Sequence, residues 1–203
     1  MGESKITTLF LVRHGETDWN ASGRLQGKTD IPLNKIGMKQ AEECREFLKR
    51  RNWDVMITSP LKRAKQTAEI INQALHLPLI EMNDFSERDF GDAEGMSLEE
   101  IRSAFPDRKY PNKEDGLSFR KRIMAGLNKI NQQYGGYEVL LVTHGAVINS
   151  LFAFLSNGEM GREKLKLSNA SISHIHFHEE RWKIKEFNQI THLSVYNENK
   201  NVK

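Results

Sequence analysis

Arg13-His14-Gly15-Glu16-Thr17 stands directly after the apolar run Ile6–Val12. A histidine between arginine and glycine at the end of a buried strand is suited to act as a nucleophile in a phosphate pocket. A neutral imidazole can attack phosphorus through one ring nitrogen while the other keeps its proton on a backbone carbonyl. Arg13 offers a planar fork to phosphate oxygens, and Gly15 permits close backbone approach. Three further pieces supply what the same chemistry needs. Ser59-Pro60-Leu61-Lys62-Arg63-Ala64 follows a second apolar run, placing Arg63 in the first turn of a helix, where free N–H groups already favour an anion. Thr143-His144-Gly145 repeats the strand–histidine–glycine arrangement, with His144 as a second, protonated phosphate ligand. Glu87, in Phe85-Ser86-Glu87-Arg88-Asp89-Phe90-Gly91, is a carboxyl among aromatics, suited to a raised pKa and to general acid and then base work. Glu94, Glu99 and Asp89 are alternatives for that role.

The elements that must position these groups alternate in type. Ile6–Val12, Trp53–Thr58 and Glu138–Thr143 read as strands covered on both faces. Asn34 caps an expected helix to Arg51, with Ile36, Ala41, Cys44 and Leu48 on its apolar face. Ser59-Pro60 reads as an N-cap and first helical proline for a helix reaching about Leu75. A further helix starts at Gly145, with Val147, Ile148, Leu151 and Phe152 inward. Ile172–Glu179 and Arg181–Asn188 read as a hairpin. This alternation predicts an α/β fold: a three-layer α/β/α sandwich around a mostly parallel sheet, with an antiparallel edge contribution. Residues 89–134 are expected to form a helical cap over the strand C-terminal ends, within one domain spanning 1–203. The polar tail from about 191 to 203 is expected to be loose.

Bulk properties bound the partners. Lys plus Arg number 30 against 27 Asp plus Glu, a net charge of +3, so nothing marks a nucleic-acid binder. Small anionic substrates suit this mild bias. The one cysteine, Cys44, excludes an intrachain disulfide and a cysteine metal cluster. No run reaches membrane-span length and no signal peptide is evident, so the cytoplasm is the expected compartment. His174, His176 and His178 alternate on one strand face; the spacing suits zinc, but no nearby Cys or Asp completes a site, and polar residues on a half-covered strand are the favoured reading.

The chain resembles the histidine phosphatase superfamily, also called phosphoglycerate-mutase-like. The resemblance rests on Arg13-His14-Gly15-Glu16-Thr17 with Trp19-Asn20, Arg24-Leu25-Gln26-Gly27, Asp30, Leu33 and Gly37. It continues through Ser59-Pro60-Leu61, Arg63-Ala64, Gln66-Thr67-Ala68, Glu87, Phe90-Gly91, Glu94-Gly95, Thr143-His144-Gly145 and Asn169-Ala170-Ser171-Ile172. It implies a phosphohistidine on His14, with Arg13, Arg63 and His144 in the phosphate pocket and Glu87 as proton donor. Asn20, Gln26 and Gly145 fall at positions that approach the substrate or its phosphate. It implies no metal and no cofactor, and a small phosphorylated metabolite or phosphate ester as substrate; homo-oligomerisation stays open.

Within the family, the short interval from Glu87 to His144 favours a phosphatase over a mutase. So does Leu25-Gln26-Gly27-Lys28, where mutases carry Phe and Gly-Trp. Ala93 departs from the aromatic that many phosphatase members have before Glu-Gly. Phosphoglycerate mutase, a sugar-bisphosphate or cobalamin-pathway phosphatase, and a phosphate-docking regulatory protein are the alternatives. Trp19 either lines the pocket or packs beneath its loop, Glu114 and Arg122 brace the cap, and Phe105, Tyr110 and Phe119 are either an apolar substrate wall or core.

Overall fold

A computed structural model of the chain describes residues 6–161 and 166–194. Four strands run parallel: β1 (Thr7–Arg13), β2 (Val55–Thr58), β3 (Leu79–Glu81) and β4 (Glu138–Thr143). The hairpin β5 (Ile172–His178) and β6 (Arg181–Gln189) adds antiparallel pairs beside β1, giving the sheet order β3-β2-β4-β1-β5-β6.

Alternation along the strands divides the core. Leu9, Leu11, Val55, Ile57, Val139 and Leu141 face one side, against α5 (Gly116–Gln133) and α6 (Gly145–Leu155). Phe10, Val12, Met56, Leu140 and Val142 face the other, against α2 (Lys35–Leu48) and α3 (Lys62–Leu75). Both faces are buried, which is why the strands read as continuous apolar runs. The expected three-layer α/β/α sandwich is what the chain forms.

Several boundaries differ from expectation for local reasons. Asn34 caps α2 by accepting from the Gly37 N–H at 2.8 Å, but the helix stops at Leu48 and Ile36 is 45% exposed. Gln40 takes an inward position instead. Leu61, not Ser59, precedes α3 and, being apolar, offers no side-chain cap; the Ser59 hydroxyl accepts from the Leu61 N–H at 3.3 Å and contacts His144. β3 has only three residues and no periodicity to betray it.

The cap is smaller than 89–134. Phe119, Ile123, Leu127 and Ile130 recur at helical spacing and are buried in the core, so α5 is a layer of the sandwich. What crosses the strand ends is the segment before it, with a short turn at Gly91–Ala93 and α4 (Leu98–Ala104). Ser97 and Glu100 form a capping box that starts α4. The segment is tied to the loop after β1 by Leu25 N–H to Met96 O at 2.9 Å and Gly95 N–H to Leu25 O at 2.7 Å.

The start of the expected loose tail is anchored. Leu193 is fully buried, His192 Nε2 lies 3.0 Å from Ala170 O, and Ser194 bonds Glu43. Residues 195–203 lie outside the described residues, as do Met1–Lys5.

Candidate active site

Register brings the two histidines together. Arg13 in β1 is paired with Thr143 in the adjacent parallel strand β4, and the His14 N–H donates to Thr143 O at 2.9 Å. The residues that follow, His14 and His144, therefore emerge side by side at the carboxyl ends of the strands, where α/β sheets bind ligands. Their ring centroids are 5.2 Å apart. Thr58 pairs with Val142 across the β2–β4 ladder, which carries Ser59 to the same edge. The Ser59 hydroxyl is 2.7 Å from His144 Nε2.

His14 is held in one orientation and one tautomer. Its Nδ1 lies 2.7 Å from Gly15 O, a bond that requires the proton on Nδ1 and leaves a lone pair on Nε2. Burial drives its pKa well below 6.5, and the Arg63 and Arg13 guanidinium groups push it further down. The ring is thus a neutral base. His144 is likewise neutral rather than protonated as expected: burial dominates, and Arg63, His14 and Arg13 add to it. The cost of burying a third cation beside two guanidinium groups explains the difference.

Around His14 the chain crosses itself closely. A Cβ on Gly15 would lie 2.4 Å from Gly37 O, and one on Gly37 would lie 2.0 Å from Glu16 O. The two glycines let the loop after β1 press on the first turn of α2. Its backbone is fixed by side chains: Gly15 N–H donates to Thr67 Oγ1 at 3.0 Å and Glu16 N–H to Gln40 Oε1 at 2.9 Å.

The arginines are pinned by carbonyls. Arg63, fully buried, donates to Thr29 O at 2.9 Å and Gly27 O at 2.6 Å. Arg13 donates to Leu167 O. Gly145 adjoins Arg13: a Cβ there would lie 3.5 Å from Arg13 Nε. The Nε of Arg63 and Nδ1 of His144 are buried with no hydrogen-bond partner among the described residues, an arrangement that native interiors tolerate rarely.

Glu87 closes the group. Its Oε1 accepts from the Arg88 N–H at 2.9 Å and its Oε2 from the Ala146 N–H, in the first turn of α6, at 3.2 Å. Burial raises its pKa above 4.5; the Arg88 N–H, Arg63 and the Ala146 N–H offset that only in part. Glu94 is otherwise employed. Its carboxylate accepts from Lys28 N–H, Thr29 N–H and Phe90 N–H at 2.8–2.9 Å, bracing the loop that holds Arg63.

Asn20 and Gln26 lie beside this group. Asn20 Oδ1 accepts from Thr17 N–H at 3.2 Å and Asn169 Nδ2 at 3.1 Å, and Gln26 Oε1 accepts from Thr17 Oγ1 at 2.9 Å. Trp19 packs on Gly95, where a Cβ would come within 3.1 Å of its ring. Phe119 is core, whereas Phe105 and Tyr110 pair in the cap. His174 stacks on Phe10 with centroids 4.7 Å apart, and no group of three or more metal-ligating side chains is assembled among the described residues.

Sequence reasoning gave Arg122 only a bracing role. Its guanidinium holds both Glu114 oxygens at 2.7 and 2.9 Å and the carbonyls of Asp84, Ser86 and Glu87 at 2.9, 2.7 and 3.0 Å. Thr67, Ser59 and Asn169, whose Nδ2 donates to His14 O at 3.1 Å, also support the loop after β1 or His144. The family motifs contained them, but no spacing rule assigns such roles.

Residues 9–190 match the histidine phosphatase superfamily (branch 1). The chain belongs to that superfamily. It is 53% identical to an uncharacterised phosphatase, PhoE, of Bacillus subtilis over 94% of this chain and 99% of that one. It is 34% identical to a metal-independent phosphoserine phosphatase of Arabidopsis thaliana, over 95% of this chain and 85% of that one. Among solved structures, YhfR of Bacillus stearothermophilus superposes with a TM-score of 0.85 at 27% identity, covering 92% of this chain and 98% of that one. No helix among the described residues is long and apolar enough to cross a membrane.

Proposed function

We propose that this phosphatase hydrolyses phosphomonoesters of small metabolites through a phosphohistidine on His14, without a metal. One observation carries the reading: a neutral imidazole, its Nδ1 proton donated to Gly15 O, stands beside a buried Arg63, a half-buried Arg13 and a second histidine. The scissile phosphoryl group binds against Arg13 and Arg63, whose positive charge neutralises it, and against His144, which offers an N–H donor. The unpartnered Arg63 Nε and His144 Nδ1 fit this role. His14 Nε2 attacks phosphorus in line as the bond to the leaving oxygen breaks, and the Glu87 carboxyl gives that oxygen its proton. Water then attacks the phosphohistidine. Glu87, now a carboxylate, takes the water's proton, the P–N bond breaks, and His14 returns to its neutral form with phosphate released. The raised pKa of Glu87 favours the acid form the first step needs. Asn20, Gln26 and the Gly145 backbone bound the phosphate side of the pocket.

The test is hydrolysis of p-nitrophenyl phosphate in EDTA by wild type and a folded His14→Ala variant. Turnover by wild type that disappears in the variant is expected. Turnover that survives in the variant, or that requires a divalent metal, would overturn the mechanism. Phosphoserine is the first natural compound to try, given the activity for which the Arabidopsis relative is named.

A further inference from the structure

The cap carries chemistry that phosphoryl transfer at His14 leaves unused. A cavity of about 520 Å³ opens there, within the size range of small-molecule sites. Arg88, Arg102, Arg108 and Lys113 line it, and no carboxylate does. None of the four forms an ion pair with a carboxylate among the described residues; Asp107, the acid beside Arg108, pairs with Lys109 at 3.4 Å. Aromatic rings also stand in the wall. Phe105 and Tyr110 sit with ring centroids 5.7 Å apart, and Lys113 Nζ lies 5.0 Å over the Tyr110 ring.

The loop forming this cavity is constrained. Arg108 and Asn112 hold left-handed φ angles of 57° and 59°, and Lys113 Nζ donates to Arg108 O at 3.1 Å. The loop presses on Gly91, where a Cβ would meet Pro111 O at 2.0 Å. The loop that carries Arg108 and Lys113 is thus held against the turn at Gly91.

The cavity also has a neighbour on the side of the acid. Arg88 and Phe90 line both it and a smaller cavity of about 200 Å³, whose wall includes Ala146 and Asn149. Ala146 is the residue whose N–H holds Glu87. Asn149 Oδ1 is buried there with no partner among the described residues. Arg88 and Ala146, whose N–H groups hold the two Glu87 oxygens, both line the small cavity, which sets it against the residues that position the acid.

Resting on the phosphatase reading above, we propose that the cap is a second anion subsite. It selects phosphomonoesters whose leaving group is a flat aromatic or heteroaromatic body ending in a further carboxylate or phosphate. The aromatic rings take the body and Arg102 and Arg108, in no ion pair among the described residues, take the remote charge.

The experiment compares biphenyl-4-yl phosphate with 4′-carboxybiphenyl-4-yl phosphate, which differ only in the remote charge, on wild type and R102Q/R108Q. Both arginines are exposed, so folding should be preserved. Exposed charges each act weakly, so the cluster together should favour the carboxylated ester about tenfold in kcat/KM at low salt. The double variant should bring that ratio to within about twofold of unity, chiefly through KM, and leave p-nitrophenyl phosphate hydrolysis unchanged. A wild-type ratio near one, or a ratio the double variant does not alter, overturns the subsite. Equilibrium binding of the same two esters to His14→Ala reads the cap without turnover. Loss of p-nitrophenyl phosphate hydrolysis by wild type would instead count against the phosphohistidine mechanism, while the binding preference still judges the cap.

Discussion

Replacing Arg122 with methionine separates positioning of Glu87, the proposed general acid, from mere support of the cap. The substitution keeps most of the aliphatic stem and removes five hydrogen bonds, two to Glu114 and three to the carbonyls of Asp84, Ser86 and Glu87. Stripping one partner from a buried ion pair costs about 3–5 kcal/mol. Here the Arg122 and Glu114 side chains are 23% and 14% exposed, so solvent screens part of that. A loss of about 2–3 kcal/mol is expected, which for a chain of this size lowers Tm by roughly 4–12 °C. The effect on rate should depend on the leaving group. An alkoxide needs the Glu87 proton as it departs, whereas p-nitrophenolate leaves with little help. A Glu87 backbone freed from its clamp should therefore lower kcat/KM about 10–100-fold for an alkyl phosphate and only a few-fold for p-nitrophenyl phosphate. Steady-state kinetics well below the variant's Tm, with both substrates on the same preparation, read the split. An equal loss on the two substrates, or no loss in a destabilised protein, would refute the positioning role of Arg122.

Further outcomes follow from the same geometry. For substrates that need a proton, kcat/KM should fall as pH rises through the Glu87 pKa, which burial lifts above 4.5, and should fall on the acid side as His14, held well below 6.5, becomes protonated. Glu87→Gln should flatten the alkaline limb of that pH–rate profile and cost about 10²–10⁴-fold on alkyl phosphates. Relative to wild type, the same variant should gain stability between pH 4.5 and 7, on top of a pH-independent cost for the one backbone N–H that glutamine cannot accept from. A raised carboxyl pKa contributes instability once the unfolded chain ionises, so the gain should vanish in thermal melts below pH 4.5. Gly37→Ala should cost about 1–3 kcal/mol in denaturant titration, because its Cβ would meet the Glu16 backbone at 2.0 Å and neither strand of chain can yield alone. Cys44, buried and with its thiol pKa raised by burial, should resist thiol reagents until the protein unfolds.

What could be read from the chain and what could not divides along physical lines. Strands buried on both faces announce themselves as apolar runs, so β1, β2 and β4 were legible to within two residues, and with them the strand ends bearing His14, Ser59 and His144. A three-residue strand such as β3 has no pattern to find. The extent of the cap was misjudged because the polar face of α5 dilutes its composition, although Phe119, Ile123, Leu127 and Ile130 keep helical spacing. Protonation was harder still. The neutral state of His144 follows from total burial beside Arg63 and His14, a property of packing that no motif records. Arg122 is the same kind of case: its carbonyl partners lie more than thirty positions away along the chain and are identifiable only after folding.

The most direct measurement is a rapid-quench single turnover with ³²P-labelled substrate, followed by peptide mapping under alkaline conditions that preserve phosphohistidine. A transient, acid-labile label on the peptide carrying His14, formed and lost at rates competent for turnover, is expected. Release of phosphate with no adduct at His14, or a label on another residue, would contradict the assignment of His14 as the nucleophile.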